Sequence, residues 1–249
     1  MVFHVLNWHN IAMNNKPHFE VIKFFILAMI LSLGLGGLGS YLGLDRSLIV
    51  VLYSGGVGIP ALILGRKKLN FKMDWKRSVW LLFAFLLPLF YIRVPSFIAN
   101  GGDLNFVGTS LSVVVSIFVA AFLEELGWRG YLFEKLKSMS WFKMNLIIGL
   151  MWAIWHFPVI FMGSYYVGDS WIISVPVFTL NLVLLSFVFG GLRKISGGIW
   201  AAVVAHAVHN LVYKIVPGAA LEGSLFLTGG LLISVGILIY LEKYDKAKS

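Results

Sequence analysis

Long uninterrupted apolar runs dominate this chain, and they constrain its fold more than any other feature. A run of about 17 to 25 apolar residues is the length needed to cross a bilayer as a helix. Inside lipid, helices satisfy every backbone polar group within one segment. Eight such runs are found, near Val21–Gly43, Leu48–Leu64, Val79–Ile98, Val107–Leu126, Met144–Phe161, Trp171–Phe189, Gly198–Tyr213 and Leu225–Leu241. The expected fold is therefore all-α, a polytopic membrane bundle of about eight transmembrane helices. The stretch Met1–His18 carries Phe3, Leu6, Trp8 and Ile11 at roughly helical spacing, which suits either a surface-lying helix or a frayed terminus.

Composition agrees with a bilayer as solvent. Of 249 residues, 59% are hydrophobic and 12% charged, whereas a soluble domain carries about 25% charge. The formal net charge of +9 calls for no nucleic acid, because basic residues collect in the cytoplasmic loops of membrane proteins. Of the 20 Lys and Arg residues, all but Arg46, Arg93 and Lys214 fall on one side when the eight runs are threaded alternately. That bias predicts a multi-pass protein of the cell membrane with both termini cytoplasmic. Cys is absent, so disulfides, a cysteine nucleophile and thiolate metal ligands are excluded. No Pro/Gly/Ser-rich linker divides the chain, and one domain over residues 1–249 is expected.

Several patterns carry no chemistry. Gly34-Leu35-Gly36-Gly37-Leu38-Gly39 matches a dinucleotide fingerprint in letters, but it lies within an apolar run with no preceding strand. Those glycines, with Gly43, are read as a surface for close helix packing. No His is followed by Glu as in zincins, and no G-x-S-x-G elbow occurs. Gly101-Gly102-Asp103 reads as an external turn.

Three polar clusters interrupt the apolar runs: Glu124-Glu125-x-x-x-Arg129, Trp152-x-x-x-His156 and His206-x-x-x-Asn210. Ionisable groups within membrane segments are costly and usually functional. On a helix, Glu125 and Arg129 are one turn apart in the favourable order for an ion pair, which suits a salt bridge at the helix end. Glu124 lies about 100° further round, away from that counter-ion, and is the better candidate for a general base. His156 shares a face with Trp152; Pro158, two residues on, would free a carbonyl and open the helix locally. His206 and Asn210 share a face of a segment rich in Ala and Gly, while His209 points elsewhere. For the histidines, interhelical hydrogen bonding is the competing reading.

The order, spacing and membrane placement of the three motifs resemble the CAAX-processing and bacteriocin-processing intramembrane protease family, over about 107–213. One departure is Trp152, where the family usually has Phe, a change read as affecting pocket shape more than chemistry. The resemblance implies an endopeptidase acting on membrane-associated substrates, either CAAX-type prenylated peptides or bacteriocin and signalling peptides. It implies Glu124 as the base that activates water and His156 as a holder of that water. His206 and Asn210 become oxyanion donors, and Glu125, Arg129 and Trp152 support them. No cofactor is expected. The alternative is zinc bound by Glu124, His156 and His206 with water in an open position. Two other functions fit the same residues: a non-catalytic immunity protein protecting its producer from a bacteriocin, and a proton-coupled secondary transporter.

Overall fold

The computed structural model describes residues 8–65, 69–72, 74–76, 79, 94, 97–98, 101–102, 104, 109–162, 171–216, 228–229, 231–232 and 234–236. Most of the expected third and eighth helices, Val79–Ile98 and Leu225–Leu241, lies outside these residues, as do Arg66, Lys67, Lys68, Arg77, Arg93 and Asp103. Among the described residues the structure is all-α. Its helices are α1 (Trp8–Tyr41), α2 (Arg46–Gly65), α3 (Leu111–Glu125), a π-helical segment (Leu126–Leu132), α4 (Phe133–Leu136), α5 (Trp141–Phe161), α6 (Trp171–Ser196) and α7 (Trp200–Ile215). Among the described residues, five stretches are long and apolar enough to cross a membrane: Phe19–Tyr41, Arg46–Gly65, Leu111–Leu136, Trp141–Phe161 and Trp171–Ser196. With 16 residues, α7 spans roughly 24 Å, short of a full crossing.

The apolar runs predict these helices well, and the differences have local causes. Residues 8–18 continue straight into α1 and do not form a separate surface element. Ser110 caps α3 by accepting a bond from the Val113 amide, and Ser140 caps α5 in the same way from Lys143. Pro60, Pro158 and Pro176 lie inside helices that run on through them, so the local opening expected at Pro158 does not end α5.

Small residues set the helix spacing. In α1, Gly36 and Gly39 face α2, where a Cβ would lie 2.9 Å from Tyr53 and from Leu52 respectively. Opposite them, a Cβ on Gly56 of α2 would collide with the backbone of Ser32. Together these positions draw α1 and α2 into a close antiparallel pair. Gly43 has a different job from the one expected: at φ +65° it forms the turn that ends α1. Gly127, in the π segment, sits where any side chain would strike Val57 of α2. Glu124, three residues before it, is thereby held against α2, where it meets Ser54.

Several chain ends meet on one side of the bundle. Asn70 donates to the Gly197 carbonyl at 2.7 Å, and the Asp74 amide to that of Ser196 at 3.1 Å. Lys135 reaches Glu20 at 3.8 Å, and Arg193 reaches Glu134 at 2.9 Å. The start of the membrane part of α1, the link after α2, the end of α4 and the end of α6 therefore share one face, as the charge pattern expects. Arg193 itself is a correction. Expected in a loop, it lies within α6 and is buried.

Candidate active site

Glu124 and Glu125 occupy the last turn of α3, immediately before the helix widens into the π segment. π-helical turns are rare and often mark functional positions. Both carboxylates are buried, Glu124 at 6% exposure and Glu125 at 0%.

Their partners differ in kind. One oxygen of Glu124, Oε1, accepts from the Ser54 hydroxyl of α2 at 3.1 Å; the other, Oε2, accepts from the Trp152 indole N–H of α5 at 2.9 Å. Glu125 Oε1 accepts from Arg129 Nη1 at 3.0 Å and faces His206 Nδ1 of α7 at 2.9 Å. The i,i+4 pairing is therefore as expected, but its setting is not. The ion pair lies in the interior, with Arg129 at 0% exposure, and not at the helix-end surface. Arg129 also has aromatic faces on its guanidinium, 4.8 Å from the centre of Trp152 and 5.2 Å from that of Phe189. Such stacking suits a desolvated arginine.

The histidine tautomers follow from their partners. His156 Nδ1 lies 2.9 Å from the Trp152 carbonyl, which can only accept, so Nδ1 carries the hydrogen and Nε2 is the basic nitrogen of the neutral ring. His206 Nδ1 likewise donates to the Glu125 carboxylate, leaving Nε2 for other partners. Trp152 packs against both rings, its centroid 5.9 Å from that of His156 and 5.1 Å from that of His206. Phe189 stacks on His206 at 5.4 Å. The three motifs thus converge around one indole.

Asn210 is only partly buried and makes no side-chain hydrogen bond among the described residues. His209 packs against Tyr213 at 4.8 Å. No three His, Asp or Glu side chains among the described residues come together as a metal-binding group. In the trio Glu124, His156 and His206, Nδ1 of each histidine has a protein partner, so Nε2 is the nitrogen each would turn to a metal.

Three participants were not singled out as site residues in the sequence: Ser54, Phe189 and Arg193. Ser54 had a faint signal, a hydroxyl in the apolar run of α2. Arg193 donates from Nε to the carbonyl of Arg129 at 3.2 Å, tying α6 to the π segment beneath the carboxylates.

Residues 106–212 match the family described as type II CAAX prenyl endopeptidase Rce1-like. That range contains all three motifs. The motif-bearing segment is similar to that family. A protein named CAAX prenyl protease 2 from Methanococcus maripaludis is 31% identical over 150 residues, covering 58% of this chain and 54% of the relative. The chain thus spans about half the length of that curated relative. The Rce1-like match bears out the family resemblance carried by Glu124, Glu125, Arg129, Trp152, His156, His206 and Asn210.

Proposed function

We propose that this chain is an intramembrane endopeptidase that hydrolyses CAAX-type prenylated peptides or other membrane-associated peptides, with Glu124 activating the water. The observation that carries this reading is the environment of Glu124. It is a buried carboxylate whose hydrogen bonds among the described residues come from neutral donors, Ser54 and Trp152, and its neighbour Glu125 takes the local cation. A carboxylate placed this way can take a proton without losing an ion pair.

In the proposed reaction Glu124 removes a proton from water as the oxygen attacks the scissile carbonyl. His156, with Nε2 as its basic nitrogen, holds that water. The tetrahedral intermediate places its oxyanion against His206 and Asn210. For His206 to donate from Nε2 while Nδ1–H stays on Glu125, both ring nitrogens carry hydrogen. Glu124 then passes its proton to the departing amine nitrogen, the C–N bond breaks, and a carboxylate and an amine leave. Helices continuous through their prolines lack the broken half-helices that favour a transporter, at least among the described residues.

The test uses purified full-length protein in detergent with a farnesylated peptide ending in a CAAX sequence. Cleavage that persists with a membrane-permeable chelator is expected. Asn210→Ala should lower kcat about 10²–10³-fold, the usual cost of one oxyanion donor, while KM changes little. Activity that falls with zinc content and returns with added zinc refutes the metal-free mechanism. No cleavage by correctly folded protein leaves the immunity reading in its place.

The charge pattern further supports both termini and the Arg66–Arg77 link being cytoplasmic. With no native Cys, a Lys72→Cys protein carries one thiol at an exposed position. It should resist a membrane-impermeant thiol reagent in intact cells and react once the membrane is opened. Rapid labelling of sealed cells overturns the orientation.

A further inference from the structure

We propose that Ser54 and Trp152 are a positioning pair for Glu124 with unequal tasks, Trp152 holding the carboxylate in place and Ser54 following its proton. This rests on Glu124 being the base. The two donors come from different helices, 70 and 28 residues away from Glu124 in sequence. Each grips a different oxygen, so the plane of the carboxylate is fixed relative to both α2 and α5. Trp152 also contacts both histidine rings, so the same indole that anchors the base sets the spacing of the other proposed catalytic groups.

The asymmetry follows from donor chemistry. An indole N–H only donates, and it serves the carboxylate and the carboxylic acid alike through Oε2. A hydroxyl both donates and accepts. Ser54 therefore donates to Oε1 while Glu124 is ionised, and rotates to accept once Oε1 carries the proton taken from water. The geometry assigns Oε1 as the oxygen that gains and then loses the proton, and Oε2 as the anchor. Phenylalanine at 152 would supply the ring without the anchor, so the indole bears on the chemistry as well as on pocket shape.

The experiment replaces each donor while keeping its volume. Ser54→Ala removes the hydroxyl, Ser54→Thr keeps it, and 3-benzothienylalanine at 152 keeps the bicyclic ring without its N–H. All are assayed in full-length protein on the farnesylated CAAX peptide, beside Glu124→Gln. Ser54→Ala and the Trp152 isostere should each lower kcat by about tenfold or more, the range for a hydrogen bond to a charged group, with KM within about twofold. Ser54→Thr should restore kcat, and the combined loss should be less than the product of the two, since both act on one carboxylate. Wild-type kcat in Ser54→Ala and in the isostere, with Glu124→Gln inactive, overturns the positioning role and leaves the base intact. Full activity of Glu124→Gln overturns both. Should the isostere fail to fold, the contrast between Ser54→Ala and Ser54→Thr decides alone.

Discussion

Glu124→Gln is expected to insert and fold normally and to lose nearly all turnover, about 10²–10⁴-fold in kcat, the range for a positioned acid–base group. Folding should survive because the amide can satisfy both neighbours. Its oxygen accepts from the Trp152 N–H, which is donor-only. Its NH₂ turns to Ser54, whose hydroxyl switches to accepting. The thermal unfolding midpoint in detergent should therefore stay close to that of the parent while peptide cleavage disappears. An active Glu124→Gln protein removes Glu124 as the base. Equal loss of activity and of folded protein would instead make the residue structural.

The second large effect concerns stability. Arg129→Met is expected to cost about 3–5 kcal/mol, because it leaves the Glu125 carboxylate buried without its cation. The lost stacking on Trp152 and Phe189 adds to this. Pairing it with Glu125→Gln should return part of the loss, since removing both charges is far less harmful than stranding one. The double variant should nonetheless stay slow, as His206 loses the carboxylate that orients it. Comparing the midpoints of single and double variants checks this. A double variant no more stable than Arg129→Met would show that Glu125 is not left stranded by the single change.

What the sequence made legible, and what it hid, follows from the reach of each rule. Apolar run length locates α2 and α5 to within a few residues, because a bilayer demands length and little else. The π segment escaped notice. Leu126–Leu132 has no pattern of its own for a widened turn, and what accompanies it is tertiary: α2 against Gly127, and Arg193 on the Arg129 carbonyl. Spacing within one helix identified the Glu125–Arg129 pair, since i,i+4 neighbours are fixed by helix geometry. It gave no access to partners on other helices. Hence His206 was grouped with Glu124 but pairs with Glu125, and the indole N–H of Trp152 was read only as bulk. The loop-charge rule placed Arg129 and Arg193 in cytoplasmic links because it weighs sign and position. Their burial shows only in their partners.

The order in which the partners are synthesised bears on how such a protein is made. When α3 enters the bilayer, Glu125 already carries Arg129 one turn away, so the segment arrives as a neutralised pair. Glu124 finds Ser54 behind it in the chain, but Trp152 lies 28 residues ahead, and Glu125 must wait 81 residues for His206. A nascent chain that has not delivered α7 therefore holds a carboxylate without its histidine. Under the proposed function, a chain that ends before α7 lacks His206 and Asn210 and would not cleave the peptides around it.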